Sequence, residues 1–579
     1  MGSSPVRVTK KSSILRWGIF HIRTKFEPNG SKWSAGRQML PIFVERKRSM
    51  GYNSRIINNR RGVNMENKRS TFGSNFGFLM AAIGSAVGLG NIWGFPYKMG
   101  QSGGFTFLLV YLLLAVFVGL TIMVSELAIG RKTRLSPIDA YREVSKKYKW
   151  IGWLAVASPF LVMTFYAVLG GYVLQYMSLN LAELSFGLSD LFRQQITGVA
   201  TFDAMLANPF GCFFFTLLFM VICMVIVMGG VSGGIERFNK IGMPALALML
   251  VIVIARSVTL PNAVEGLKFM FVPGYAVKGG FVEEMPGLIS VLGTAGGQMF
   301  FSLSLAMGAI LTYGSYLGKE ENLVSNSITI VAADTLIAIM AGIAVIPAAV
   351  ANGINNGVAV NEIARNGPKL LFVTLQDVFA NMGKAGPLFG VIFYLLVLLA
   401  AISSAISLME AVGAHWIDMD LKAGKGDTRK RITLTVSALI TIAALIVAVD
   451  GLGSNNIHPA ALMGITGPVP DYIADWLDFM DCWSEGIAMP LGAMLMALMI
   501  GWERSPQLVL EEVGHGYRST FFVKFYTVCI RFVAPVVMAF VLAGQMIGFF
   551  GGHEALWYAV AFGTLALSAI YTLSGREKK

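Results

Sequence analysis

Twelve apolar stretches of 18 residues or more partition this chain, near 74–100, 104–129, 151–182, 209–230, 241–258, 286–317, 323–351, 386–416, 432–450, 482–502, 521–549 and 555–574. Such a stretch, coiled as a helix, matches the roughly 30 Å hydrocarbon layer of a bilayer, where the backbone has no partner but itself. The chain is therefore read as an all-α integral membrane protein with twelve transmembrane helices. Composition agrees: 55% of residues are hydrophobic, mean hydropathy is +0.64 and only 14% are charged, which excludes a soluble enzyme carrying a single anchor. No polar block large enough for a second domain interrupts the spans, so residues 65–579 are read as one integral domain.

The formal net charge of +13 is a local feature. Residues 1–64 hold 14 Lys and Arg against Glu27 and Glu45, while the remaining 515 hold 32 basic and 31 acidic side chains. This arm contains Arg46-Lys47-Arg48 and Arg60-Arg61 but no apolar core of a secretory signal. It is expected to be a disordered cytoplasmic extension, either an over-extended gene start ahead of Met65 or a dispensable arm. The expected partner is the lipid bilayer rather than nucleic acid. Elsewhere, basic residues gather at Arg131 to Arg134, Arg237 and Lys240, Lys319, Lys422 to Arg431, Arg504 and the tail after Arg576. Lys and Arg concentrate in cytoplasmic loops, which puts both termini in the cytoplasm of a multi-pass cell-membrane protein. The loops at 183–208, 259–285, 352–385 and 451–481 then face outward.

Residues Gly84-Ser-Ala-Val-Gly-Leu-Gly-Asn-Ile-Trp-Gly-Phe-Pro96 place three further glycines and a polar Asn91 after Gly84, inside the first apolar stretch. The pattern predicts an unwound turn. In hydrocarbon each unpaired backbone group costs several kcal/mol, so a break persists where protein, water, ion or ligand satisfies it. The sixth stretch repeats the device with Gly293, Gly296, Gly297, Gln298, Ser302, Ser304, Gly308 and Gly314. Paired interrupted spans at matching places point to a 5+5 inverted repeat, about 74–258 and 286–502, with additional helices at about 521–574 and a binding site at mid-membrane. Close helix packing at small residues is the plainer explanation of either span alone. Both together, with intramembrane Asn91, Asp334 and Glu126, favour a site.

Other chemistries find no support. Cys212, Cys223, Cys482 and Cys529 are scattered, and the five histidines lack ligand spacing. No GxSxG or HExxH motif occurs, and the glycine-rich turn follows no strand, so neither an enzyme nor an organic cofactor is expected.

Five stretches carry a family resemblance: Ala86-Val-Gly-Leu-Gly-Asn-Ile-Trp-Gly-Phe-Pro96, Ser125-Glu-Leu-Ala-Ile-Gly-Arg131, Gln298-Met-Phe-Phe-Ser-Leu-Ser304, Thr312-Tyr-Gly-Ser-Tyr316 and Ala400-Ala-Ile-Ser-Ser404. Over about residues 69–548 the chain resembles the neurotransmitter:sodium symporter family, in its bacterial amino-acid-transporting branch. The resemblance implies sodium-coupled import of a neutral amino acid by alternating access, with one or two sodium sites. A substrate sensor or channel-like member of the same fold is the alternative.

By this resemblance, one sodium ion would be held by the Ala86 carbonyl and the side chains of Asn91, Ser302 and Asp334. A second would take the carbonyls of Gly84, Val87 and Ala400 with the hydroxyls of Ser403 and Ser404. The Gly88 and Gly90 amides and the Tyr166 hydroxyl would receive the substrate carboxylate, and Ser304 the amine. Val162, Met307, Leu408 and Ser404 would line a side-chain pocket suited to a hydrophobic or aromatic residue, with Phe301 and Tyr166 closing over it. Asp334 stands where many relatives carry Asn and would supply the charge that others obtain from chloride, so transport would be chloride-independent. Arg69, Tyr316 and Asp418 match a cytoplasmic latch. The usual outer-gate Arg is Gly94 here while its acid is retained as Asp481, and Lys98, four residues on, would partly substitute.

Overall fold

The computed structural model describes residues 71–186, 199–363, 369–425, 428–465, 469–514 and 519–574. Contacts separate Met1–Asn64 from Met65–Lys579; the basic arm and Arg69 lie outside the described residues.

Among the described residues ten helices are long and apolar enough to cross a membrane, and the pair Asn75–Ala86 and Gly90–Gln101, bent by 46° at its break, forms an eleventh span. The twelfth is the interrupted sixth stretch, Leu288–Ser302 followed by Ala309–Gly314. Spans one to five are thus the bent pair, Phe105–Thr133, Ile151–Phe186, Pro209–Met228 and Val231–Ser257. Spans seven to twelve are Leu323–Asn355, Gly386–Lys422, Arg429–Asp450, Trp476–Arg504, Thr520–Phe550 and Glu554–Ser574.

The breaks fall where the glycines predict them. Ser74 caps the first helix by accepting the Gly77 amide at 3.0 Å, and that helix stops at Val87, whose backbone is extended (φ −79°, ψ 102°). Pro96 lies in the first turn of Phe95–Gln101, where its missing N–H costs nothing. In span six the chain leaves the helix at Leu303 and passes through positive φ at Ser304 (52°), Ala306 (59°) and Gly308 (70°). A left-handed non-glycine residue costs about 1–2 kcal/mol. Two contacts hold this turn: Ser304 Oγ donates to the Ser85 carbonyl at 2.7 Å, and the Ala306 amide donates to Glu126 Oε1 at 2.9 Å. The intramembrane Glu126 therefore clamps the broken span to span two.

Span five begins about ten residues before its apolar stretch. Ser232 to Lys240 is too polar to register by hydropathy, yet it coils because its polar groups find partners. Glu236 is buried, accepts the Gly73 amide at 2.7 Å and pairs with Lys240 at 2.6 Å.

Spans three and eight pack along each other, and span eight lies beside the inner half of the bent first span. Spans six and eleven cross where bare backbones meet: a Cβ on Gly544 would stand 2.8 Å from Gly293 Cα, and one on Gly293 equally close to Gly544 Cα. Small residues permit such approach in membranes, where packing rather than water exclusion drives association. Gly544→Val is expected to cost about 1–3 kcal/mol by overpacking, seen as a lower thermal midpoint of the detergent-solubilised protein; an unchanged midpoint would refute the crossing.

Candidate functional site

The two breaks face each other at the centre of the bundle and carry their polar atoms with them. Asp334, on span seven, is fully buried, and its carboxylate accepts from Asn91 Nδ2 at 2.7 Å, from Ser302 Oγ at 2.9 and 3.1 Å and from Tyr111 OH at 3.2 Å. All three donors are neutral, and among the described residues no Lys or Arg pairs with it. A buried carboxylate with neutral donors suits a cation. Asn91 Oδ1 meanwhile accepts the Gly88 amide at 2.9 Å, so the side chain faces Asp334 with its nitrogen. Tyr111 belongs to this cluster but carries no sequence signal beyond being a polar tip in an apolar run.

On the opposite side of the first break, span eight approaches the chain with two hydroxyls. Ser403 Oγ contacts the carbonyls of Val87 at 3.3 Å and Ala400 at 2.9 Å. Ser404 Oγ reaches those of Gly84, Ser85 and Val87 at 3.3, 3.0 and 3.3 Å. The five oxygens named from sequence thus converge, and hard oxygen donors of this kind suit an alkali cation.

Between these clusters lies a small cavity. Gly88, Gly90, Val162, Tyr166, Phe301, Ser304, Met307, Ser404 and Leu408, every residue expected to contact substrate, line it together with Ser85 and Ala86. Its free volume is about 10 Å³, room for one water at most. The walls satisfy one another: the Leu89 amide donates to the Tyr166 hydroxyl at 3.0 Å, and the Ser85 carbonyl accepts from both Ser304 and Ser404. Phe301 covers the cavity, 6.3 Å from the Tyr166 ring and 6.5 Å from Phe165 between centroids. Glycine is required at the break for space: a Cβ on Gly88 would collide with Ser404 Oγ and stand 2.6 Å from the Tyr166 hydroxyl, while one on Gly90 would stand 2.7 Å from the Phe301 ring.

Beyond Phe301 opens a vestibule of about 370 Å³, lined by Trp93, Tyr97, Lys98, Gln298, Asp481 and Glu485 among others. Here the expected pairing is corrected. The Lys98 ammonium bonds Glu485 rather than Asp481, and Asp481 Oδ1 is buried with no hydrogen-bond partner among the described residues. Asp481 is therefore not the simply solvated carboxylate expected of an unpaired vestibule acid. Glu485 had a sequence signal, an acid one helical turn past Asp481 on the same face.

At the other end of the bundle, Asp418 accepts the Ser136 amide at 2.8 Å, and Tyr316 OH donates to Glu410 Oε1 at 2.6 Å. Arg429 grips Glu410 in a fork at 2.7 and 2.8 Å. Glu410 and Arg429 were not singled out from sequence, although an acid within span eight was a signal. Because Glu410 is 1% exposed, Glu410→Ala should break a buried, forked ion pair and cost about 3–5 kcal/mol. The double variant with Arg429→Ala should recover part of that loss in thermal melts; purely additive losses would argue against coupling.

The comparisons with known proteins agree with this geometry. Residues 69–189 and 204–573 match the model of the sodium:neurotransmitter symporter family. An uncharacterized sodium-dependent transporter of Bacillus subtilis (strain 168), YhdH, is 34% identical over 482 residues, 82% of this chain and 97% of the relative. The rat sodium-dependent neutral amino acid transporter B(0)AT3 (Rattus norvegicus) is 30% identical over 306 residues, 49% of this chain and 48% of the relative. A crystal structure of MhsT in complex with L-phenylalanine aligns with a TM-score of 0.69 and 33% identity, covering 82% of this chain and 100% of that one. With its family model matched along nearly the whole membrane body and broken spans one and six enclosing a common cavity, the chain belongs to the sodium:neurotransmitter symporter family.

Proposed function

We propose that this protein is a sodium-coupled symporter that imports a neutral hydrophobic or aromatic amino acid, independently of chloride, by alternating access. It resides in the cell membrane with both termini in the cytoplasm. The observation that carries the reading is the convergence of two oxygen-rich clusters on one cavity whose remaining walls, Val162, Met307, Leu408 and Phe301, are apolar. The L-phenylalanine in the MhsT complex supports the same substrate class.

Function follows from competition among the bonds of the closed cavity. A sodium ion beside Asp334 takes the Asn91 side chain by its oxygen, which turns the amide and releases the Gly88 N–H from Asn91 Oδ1. The second ion draws the Ser403 and Ser404 hydroxyls into ligation beside the Gly84, Val87 and Ala400 carbonyls, freeing the Ser85 carbonyl of one donor. A zwitterion then finds donors for its carboxylate at the unwound turn and Tyr166, and acceptors for its amine. Ion and substrate thereby act on one equilibrium, as coupling requires. Each sodium charge moved inward across 100 mV contributes about 2.3 kcal/mol, enough to drive accumulation.

The test is a thermal-shift screen of the twenty amino acids on purified protein in sodium and in choline, followed by uptake into proteoliposomes. Sodium-dependent stabilisation by phenylalanine-like or branched residues, with saturable uptake, is expected. Binding without accumulation would instead identify a sensor, and uptake without fixed sodium stoichiometry a channel.

A further inference from the structure

We propose that Lys98 and Glu485 form the outer gate of this transporter, an ion pair displaced by one helical turn on both sides from the positions held by Gly94 and Asp481. The inference rests on the symporter reading above, which makes the vestibule the outer side. Lys98 belongs to the outer half of broken span one and Glu485 to span ten, and they meet across the vestibule above Phe301.

Three observations assign the role. The pair is largely withdrawn from water, its side chains being 17% and 4% exposed, although it borders an open vestibule. The place one turn below is occupied by Gln298: a Cβ on Gly94 would stand 2.7 Å from Gln298 Oε1, so a side chain there requires Gln298, which bonds the Gly90 carbonyl at 2.7 Å, to shift. Finally, Gly297 presents bare backbone to the acid, since a Cβ there would stand 2.6 Å from Glu485 Oε1. Glu485 therefore reaches the outer halves of both broken spans, Lys98 of the first by charge and Gly297 of the sixth by contact.

The pair can open and close because each state satisfies both charges. Closed, each charge exchanges hydration for its partner; open, the widened vestibule hydrates both. Removing one member leaves the other buried and uncompensated, which favours the open, hydrated arrangement. Asp471, Asp475 and Asp478 also line the vestibule.

A cysteine at Thr294, which lines the vestibule, reports gate position in the full-length protein in proteoliposomes, and the four native cysteines are buried. With sodium and no amino acid, labelling of T294C by a membrane-impermeant thiol reagent should accelerate about threefold or more when Lys98→Met or Glu485→Gln is added. The exchanged pair K98E/E485K and the conservative K98R should return it toward the parent rate. Uptake velocity should fall about tenfold in the single variants while substrate affinity stays within about threefold, the signature of a conformational step. Unchanged labelling, an exchanged pair no better than the singles, or affinity lost in parallel with uptake would overturn the proposal. Labelling is read without amino acid, so a parent that accumulates none would count against the symporter reading alone.

Discussion

Asp334→Asn should weaken the apparent sodium affinity for uptake on the order of 10²–10³-fold, because the buried site loses its only formal negative charge while keeping its shape. Leaving a buried ion without its partner costs about 3–5 kcal/mol, and each 1.4 kcal/mol is about tenfold. Asn can still bond Asn91, Ser302 and Tyr111, the groups that now surround the carboxylate. The sodium-free thermal midpoint should therefore stay close to that of the parent, which separates lost ion binding from lost folding. Parent uptake should be equal in chloride and in gluconate. A several-fold fall in gluconate, or a variant with normal sodium dependence, would dismiss Asp334 as the resident charge.

The second large effect is expected of Gly88→Ala. Gly88 does not have a positive φ, so alanine is tolerated by the backbone and the substitution tests space alone. The added methyl occupies the ground between Ser404 and Tyr166, where the substrate carboxylate would sit. Two hydrogen bonds to a charged group, each worth about 1.5–3 kcal/mol, would be forfeited, so affinity for amino acid should fall ~100-fold or more. Equilibrium binding of labelled substrate in sodium measures this, and affinity within a few-fold of the parent would place the carboxylate elsewhere. Gly90→Ala should instead push on the Phe301 ring and slow closure more than it weakens binding.

Much of this architecture was legible in the residues themselves. Apolar length dictates a spanning helix, and Gly88, Gly90 and Asn91 within such a length dictate a break, because hydrocarbon offers an unwound turn no other partner. The convergence of Asp334 with Asn91 and Ser302 came from the family resemblance, as did the serine pair facing Gly84 and Val87. The polar start of span five was not legible by hydropathy, since Glu236 is soluble-looking until its burial against Gly73 and Lys240 is known. Tyr111, Ser85 and the Leu89 amide were missed because their roles depend on which neighbour each faces.

The order of helices, the two interrupted spans and the choice of oxygen-bearing side chains are local properties, settled by composition along the chain and by the refusal of hydrocarbon to solvate backbone. Which atoms actually meet was decided by helix crossings. One turn of helix, about 5.4 Å, separates Asp481 from Glu485, and only the packed bundle selects the acid that Lys98 reaches. The same packing joins Arg429 to Glu410 and folds Ser304 onto Ser85, because a hydrogen bond or a direct ion pair forms only when its atoms come within about 3–4 Å, less than one turn of helix.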